Sequence, residues 1–208
     1  MQYIYAPLKK VMKITYLLIF LFCGILSYSQ NPRDATLFEE IPEPPKNYSG
    51  GNVIARMVEG LGFRYHWASK DLTTTDLNYK PSEDARSSKE TLVHIYGLSK
   101  TILNASLNLP NVTGEDASKY SYEKLRSKTL YNLKEASENF RGRYMYDIAK
   151  LKVIFKRDGN TSEYPFWNMI NGPISDAIYH TGQLVSFRRS SGNPIDPNIS
   201  QFMGKKRN

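Results

Sequence analysis

Cysteine is almost absent from this chain of 208 residues. The single cysteine, Cys23, lies in an apolar run near the N-terminus, so removal of that run leaves a chain without thiols. The mature chain therefore has no disulfide bonds and no thiol chemistry of its own. Its stability has to come from a packed core, for which 40% hydrophobic residues are sufficient.

An apolar run of membrane-spanning length is also lacking near the N-terminus. The run from Ile14 to Leu26 is shorter than the roughly 20 residues that a spanning helix needs. Three lysines precede it and Ser-Tyr-Ser-Gln follows it at positions 27–30, which is the pattern of a secretory signal peptide. We therefore expect residues 1–30 to be removed and the chain to be exported to the periplasm or the extracellular space, with no stable membrane span afterwards. A retained N-terminal anchor is the alternative.

Positive charge is present but not concentrated. The formal net charge is +8, from 28 Lys and Arg against 20 Asp and Glu, and loss of Lys9, Lys10 and Lys13 with the signal leaves +5. No basic stripe is interleaved with aromatic residues, so nucleic acid is not an expected partner. The C-terminal tail, residues 195–208, ends in Lys-Lys-Arg-Asn and is predicted to be solvated and disordered.

Helical periodicity is the main pattern that the chain does contain. Apolar residues recur at helical spacing in Asn52–Lys70, Ser87–Leu107 and Ser121–Arg141. Ser87 and Glu90 have the spacing of a capping box at the start of the second segment. Three helices are therefore predicted in these segments.

A fourth helix is predicted within Ile170–Pro194. Asn171 and Gly172 can cap its start, and Pro173 suits the first helical position because no N–H is needed there. Gly192 marks its end.

These four segments predict an all-α fold class, a four-helix bundle over residues 52–194. An extended connection precedes the last helix, and Leu151–Lys156 within it is a weak strand candidate. Residues 31–51, rich in proline and charge, are predicted to form an extended lead-in.

Asp176 and His180 are four residues apart in the last helix, which places a carboxylate and an imidazole on one face. The simpler interpretation of this spacing is an ion pair or hydrogen bond within the helix. The alternative is a metal site, since helix bundles build such sites from inward-facing side chains of different helices. His94, at the edge of the apolar stripe of the second helix, would be the third ligand. Three protein ligands with an open position are typical of a catalytic zinc site.

Two segments, Asp84–Ser99 (DARSSKETLVHIYGLS) and His180–Arg189 (HTGQLVSFRR), resemble the DinB/YfiT-like superfamily of metalloenzymes. The resemblance extends over about residues 52–194 and implies a four-helix bundle with a three-histidine metal site. It implies that His94 is the ligand from the second helix and His180 the last ligand. Asp176 stands where the family has its remaining histidine. The implied cofactor is a divalent ion, with zinc expected and nickel, iron or manganese as alternatives.

Other polar residues are candidates for supporting roles. Gln183 can orient a ligand or a bound water, and Glu90 is either a partner of His94 or only a helix cap. His66 either approaches the site from the first helix or packs in the core. Arg188 and Arg189 either meet an anionic substrate or favour the C-terminus of the last helix.

Two classes of function follow from the sequence. The resemblance implies a metal-dependent enzyme of hydrolase or thiol-transferase type that acts on a small molecule of unknown identity. The alternative is a secreted helical bundle that binds a metal or another ligand without turnover. A homodimer is compatible with either class.

Overall fold

The structure is a computed structural model and describes residues 36–207, so the predicted signal peptide lies outside the described residues. Helices make up most of it, in agreement with the expected all-α class at that coarse level. The α-helices are α1 (Gly50–Ser69), α2 (Thr74–Asn78), α3 (Ser88–Ser106), α4 (Tyr122–Phe140), α5 (Met145–Ile148), α6 (Trp167–Met169) and α7 (Ser175–Ser190). A 3-10 helix covers Ala117–Lys119, and a π-helix, Ile170–Ile174, joins α6 to α7. The strands are β1 (Pro110–Val112), β2 (Lys152–Arg157), β3 (Asn160–Pro165), β4 (Ile199–Ser200) and β5 (Lys205–Lys206).

Serine side chains define where three of the long helices begin. Ser49, Ser87 and Ser121 precede α1, α3 and α4, and each accepts a hydrogen bond from the backbone N–H three residues later. This satisfies one of the N–H groups that the first helical turn leaves without a partner. The three helices therefore begin and end within two residues of the predicted positions.

The core lies between the four long helices. α1 and α3 each pack against both α4 and α7. Leu61, Leu92 and Leu130, from α1, α3 and α4, are fully buried, as is Ile174 just before α7. Each such side chain contributes about 1.5–3 kcal/mol through removal of apolar surface from water. Among residues 36–207, none of the helices has the length and apolar character to cross a membrane.

A small sheet adds strands to the expected helical fold, with β2 and β3 from the connection before the last helix and β1 from the loop between α3 and α4. β2 pairs antiparallel with β3 and parallel with β1, and β2 coincides with the strand candidate Leu151–Lys156 to within one residue. Asp158 and Gly159 form the tight turn with φ values of 49° and 78°, as the primed hairpin turns require. The sheet thus returns the chain to the start of α6.

The predicted start of the last helix is wrong. Asn171, Gly172 and Pro173 do not cap it, because the helical path already begins at Trp167 and passes through them as a π-helix. Pro173 has no N–H and its ring crowds the carbonyl four residues earlier, so a regular α-helix cannot continue through it. The wider π-turn accommodates the proline, and the Ser175 hydroxyl donates to the carbonyl of Ile170 at 2.6 Å. The predicted end is correct, since Gly192 has a φ of 95°.

The tail is ordered where we expected a disordered end. β4 and β5 form a short antiparallel pair, and the N–H of Ile41 in the lead-in donates to the carbonyl of Gly204 at 2.8 Å. A Cβ at Gly204 would lie 2.7 Å from Ile41, so glycine permits this close approach. Phe38 packs equally closely on Gly62 of α1. The lead-in is therefore held between the tail and α1.

Candidate metal centre

The three predicted ligands come from two adjacent helices. The capping box of Ser87 and Glu90 sets the start of α3 and places His94 in its second turn. The π-helix sets the rotation at which α7 begins, with Asp176 in its first turn and His180 one turn later. Because α3 and α7 pack against each other, His94 faces the other two side chains.

The carboxylate of Asp176 lies between the two imidazoles. Its Oδ2 is 3.1 Å from His94 Nε2, and its Oδ1 is 3.2 Å from His180 Nε2. The two rings stand perpendicular, with centroids 4.5 Å apart. One ligand-type atom from each of the three residues lies within 4.8 Å of the others. A tetrahedral zinc site places its ligand atoms about 3.3–3.6 Å apart, so small side-chain rotations would bring these residues onto one ion.

Gln183 fixes the tautomer of His180. His180 Nδ1 lies 2.7 Å from Gln183 Oε1, an arrangement in which the ring nitrogen donates its proton to the amide oxygen. The Nε2 of a neutral His180 is then an acceptor that faces the acceptor oxygen of Asp176. Two acceptors 3.2 Å apart repel each other unless a cation lies between them. The cation is either a proton on Nε2, which makes His180 an imidazolium, or a metal ion. The three residues are compatible with both.

Solvent reaches the site from one side. The side chain of His180 is 12% exposed, whereas those of His94 and Asp176 are 30% and 40% exposed. A bound ion would therefore have protein on the side of His180 and solvent on the side of Asp176. An additional ligand would approach from the solvent side.

The electrostatic environment favours the ligand form of His94. Partial burial is the main reason why the pKa of His94 is lowered, and the positive charge of Arg86 lowers it further, against the hydrogen bond to Asp176 that raises it. Metal binding requires a neutral imidazole. The lowered pKa of His94 therefore favours the neutral form that can bind a metal.

Two of the three supporting candidates are not at the site. Glu90 accepts a hydrogen bond from the N–H of Ser87 at 2.7 Å and lies 3.6 Å from Lys80, so it caps α3 rather than supporting His94. His66 is buried, with its Nδ1 2.7 Å from the carbonyl oxygen of Leu37. Burial is the main reason why the pKa of His66 falls to about 4. His66 is therefore a core residue.

Arg188 has a structural role that the sequence did not reveal. It is 5% exposed and its guanidinium donates to the carbonyl oxygens of Trp67, Ala68 and Lys70 at the end of α1. It also donates to Asn193 beyond α7. Arg188 thus joins the ends of two helices, whereas Arg189 is exposed.

Two residues beside the site were not predicted. The ring of Tyr179 lies 5.2 Å from that of His180, and the tyrosine is 64% exposed. The positive charge of Arg86 acts on His94. Arg86 lies just before the start of α3, and Tyr179 directly precedes a predicted ligand, so position alone was the available signal.

Comparisons with protein-family models, curated proteins and solved structures find no match for this chain.

Proposed function

We propose that the four long helices form a four-helix bundle of the DinB/YfiT-like kind. The packing of α1 and α3 against both α4 and α7 supports this arrangement. So does the resemblance of Asp84–Ser99 and His180–Arg189, which lie on or next to the two helices that carry the metal candidates.

We propose that His94, Asp176 and His180 hold one divalent cation, with zinc as the expected ion. The observation that carries this proposal is the convergence of three ligand-type atoms from two helices within 4.8 Å. The acceptor arrangement around His180 supports it, because a cation relieves the repulsion between its Nε2 and Asp176 Oδ1. Two imidazoles and one carboxylate are a known ligand set for zinc, and they also suit iron and manganese.

The function that this site supports best is that of a metal-dependent enzyme of hydrolase or thiol-transferase type. When bound, the ion would supply Lewis-acid activation of a water or of a substrate thiol. Gln183 would hold the Nδ1 proton of His180 and so keep the ring in its ligand orientation. The solvent-exposed side near His94 and Asp176 would admit the substrate.

The metal site is tested by measuring stoichiometry and affinity for zinc at neutral pH. His180→Ala should weaken binding by more than about 100-fold, since even residues that only orient a ligand contribute 10–100-fold. Asp176→His should retain binding, because it restores the ligand set that the resemblance implies. His66→Asn serves as the matched control, since it removes a histidine outside the cluster and keeps a donor for Leu37. If wild type binds no metal, or if His180→Ala binds as tightly as wild type, the triad is only a hydrogen-bonded cluster.

A metal-dependent enzyme needs an open coordination position at the metal, whereas a protein that only binds the metal does not. With Co²⁺ in place of zinc, a small thiol such as 2-mercaptoethanol should produce a sulfur-to-cobalt absorption band in wild type. A spectrum that is unchanged by thiol and by azide would indicate a closed site and favour the non-catalytic alternative. Turnover is then measured with ester, amide and thiol-acceptor substrates, with Asp176→Ala as the inactive reference.

We also propose that the protein is exported after removal of residues 1–30, which lie outside the described residues. The lysines, the apolar run and the small residues of that segment support export. Mass spectrometry of the protein from its native host should find a mature N-terminus near Asn31. A cytosolic product that retains residues 12–30 would contradict this proposal.

A further inference from the structure

A cavity of about 350 Å³ lies between the first turns of α1, helix α5 and the segment that leads into the π-helix. Its inner wall includes Ile54, Ile148 and Phe166, which are all buried. None of its twelve lining residues is charged, and none belongs to the metal cluster. The cavity is therefore a separate feature of the molecule.

Large apolar side chains surround the opening and remain in contact with solvent. Tyr48, Trp167, Met145 and Val53 line the cavity and are 95%, 69%, 57% and 43% exposed. Single exposed apolar residues are ordinary on protein surfaces, but a cluster at one concave site is typical of a binding site. Occupation of the cavity would cover this exposed apolar surface.

The size of the cavity limits the ligand. A buried apolar cavity of about 150 Å³ accommodates benzene, so 350 Å³ has room for about two to three rings or an aliphatic chain of similar volume. It lies at the lower end of the usual range for small-molecule pockets, about 300–1,000 Å³. Met57 and Met145 contribute flexible side chains to the wall, which adapt to ligands of different shape.

The charge of the surroundings also limits the ligand. Arg56, which precedes Met57 on α1, donates to the carbonyl of Pro42 at 2.5 Å and lies 3.6 Å from the carboxylate of Glu59. Arg56 is therefore already engaged by these two partners, and Glu59 also pairs with Arg141. The polar side-chain groups of the lining are the Tyr48 hydroxyl and the Trp167 indole N–H, both at the exposed edge. An ionised group inside the cavity would be desolvated without a counter-charge.

We propose that this cavity binds an uncharged, predominantly apolar molecule of two to three rings, with any polar atom directed towards Trp167 and Tyr48. The site is independent of the metal centre and serves a second ligand.

A matched pair of fluorescent dyes of the same ring system tests the charge of the ligand. N-phenyl-1-naphthylamine is uncharged, and 8-anilino-1-naphthalenesulfonate has the same ring system with an added sulfonate. The uncharged dye should bind with 1:1 stoichiometry and at least tenfold more tightly than the sulfonate. Equal or tighter binding of the sulfonate, or no saturable binding of the uncharged dye, would overturn the proposal.

Two variants locate the bound dye. Ala149 lines the cavity from its exposed side, so Ala149→Phe should fill the space without disturbing the core and weaken binding at least tenfold. Lys150→Phe adds the same ring at an exposed neighbouring position outside the lining and should leave the affinity within about twofold. Equal effects of both variants, or none from Ala149→Phe, would show that the dye binds elsewhere.

Tryptophan fluorescence gives a second readout. The chain has two tryptophans; Trp67 is buried and donates to the carbonyl of Glu39, whereas Trp167 lies at the edge of the cavity. Binding should quench Trp167 by energy transfer to the dye, and Trp167→Phe should remove most of this quenching. Quenching as strong in Trp167→Phe as in wild type would contradict the location. The oligomeric state in solution, measured by sedimentation, provides a further test. If the wild type is a dimer that Ala149→Phe converts to a monomer, the cavity is an interface between copies and the small-molecule proposal is wrong.

Discussion

Replacement of Arg188 by methionine should destabilise the protein by about 3 kcal/mol. The side chain is 5% exposed and bonds three carbonyl oxygens at the end of α1, at 2.8 Å for Trp67, 3.3 Å for Ala68 and 3.0 Å for Lys70. Trp67 and Ala68 are buried, so methionine leaves their two carbonyls without this donor and out of reach of bulk water. Each such loss costs about 1–3 kcal/mol. Burial of the guanidinium has a desolvation cost, which also lowers its pKa. Methionine removes this cost, and that gain offsets part of the loss in stability.

Urea unfolding followed by far-ultraviolet circular dichroism measures this effect. Arg189 is the matched control, because it has the same side chain one position later on the exposed side of α7. Arg189→Met should change the free energy of unfolding by less than about 0.5 kcal/mol, as expected for an exposed position. A loss below about 1 kcal/mol for Arg188→Met, or equal losses for both variants, would refute the assignment of Arg188 as the link between α1 and α7.

Three further predictions follow from the site and the core. Gln183→Leu should weaken zinc binding by about 10–100-fold in a chelator competition without loss of helical signal. The variant removes the oxygen that accepts the Nδ1 proton of His180, so the ring is no longer held with Nε2 free for the metal. Unchanged affinity would contradict this role. Glu90→Ala should lower the melting temperature slightly and leave zinc affinity unchanged, since Glu90 caps α3. A loss of zinc affinity would show that Glu90 supports the metal site. His66 has a folded pKa of about 4, below its ordinary value near 6.5, so the unfolded chain takes up the proton first. Its contribution to stability is complete above about pH 6.5 and is lost as the pH falls towards about 4, by about 1–2 kcal/mol at about pH 5. His66→Asn should flatten the pH dependence of urea unfolding in this window, and an equally steep dependence in the variant would contradict the reasoning.

Helix positions were predictable because their signals are local. Capping serines such as Ser49, Ser87 and Ser121 act on N–H groups three residues away, and a periodic apolar stripe requires only one helix to be recognised. At the start of the last helix, the same kind of local signal gave a wrong prediction. Asn171 to Pro173 carry the usual signals of a helix start, but burial of Phe166 and Met169 extends the helical path past them.

The pairing of Asp176 with His180 was available from spacing, because residues four apart share a helix face. His94 was a candidate from its position at the edge of an apolar stripe and from the resemblance. Its contact with Asp176, 82 residues away in sequence, depends on the packing of α3 on α7. Packing likewise decided between the two roles that the sequence left open for His66, because it places this residue against Leu37 and in the core.

Local spacing therefore determined which segments are helical, where most helices begin and which two predicted ligands share a helix face. Tertiary packing decided which polar residues meet across helices. Arg188 demonstrates the difference, because its partners lie 118 to 121 residues earlier at the end of α1. The apolar cavity depends on packing in the same way, since its walls come from α1, α5 and the start of the last helical segment. Side chains that are distant in sequence become neighbours only when burial of the common apolar core holds their helices together.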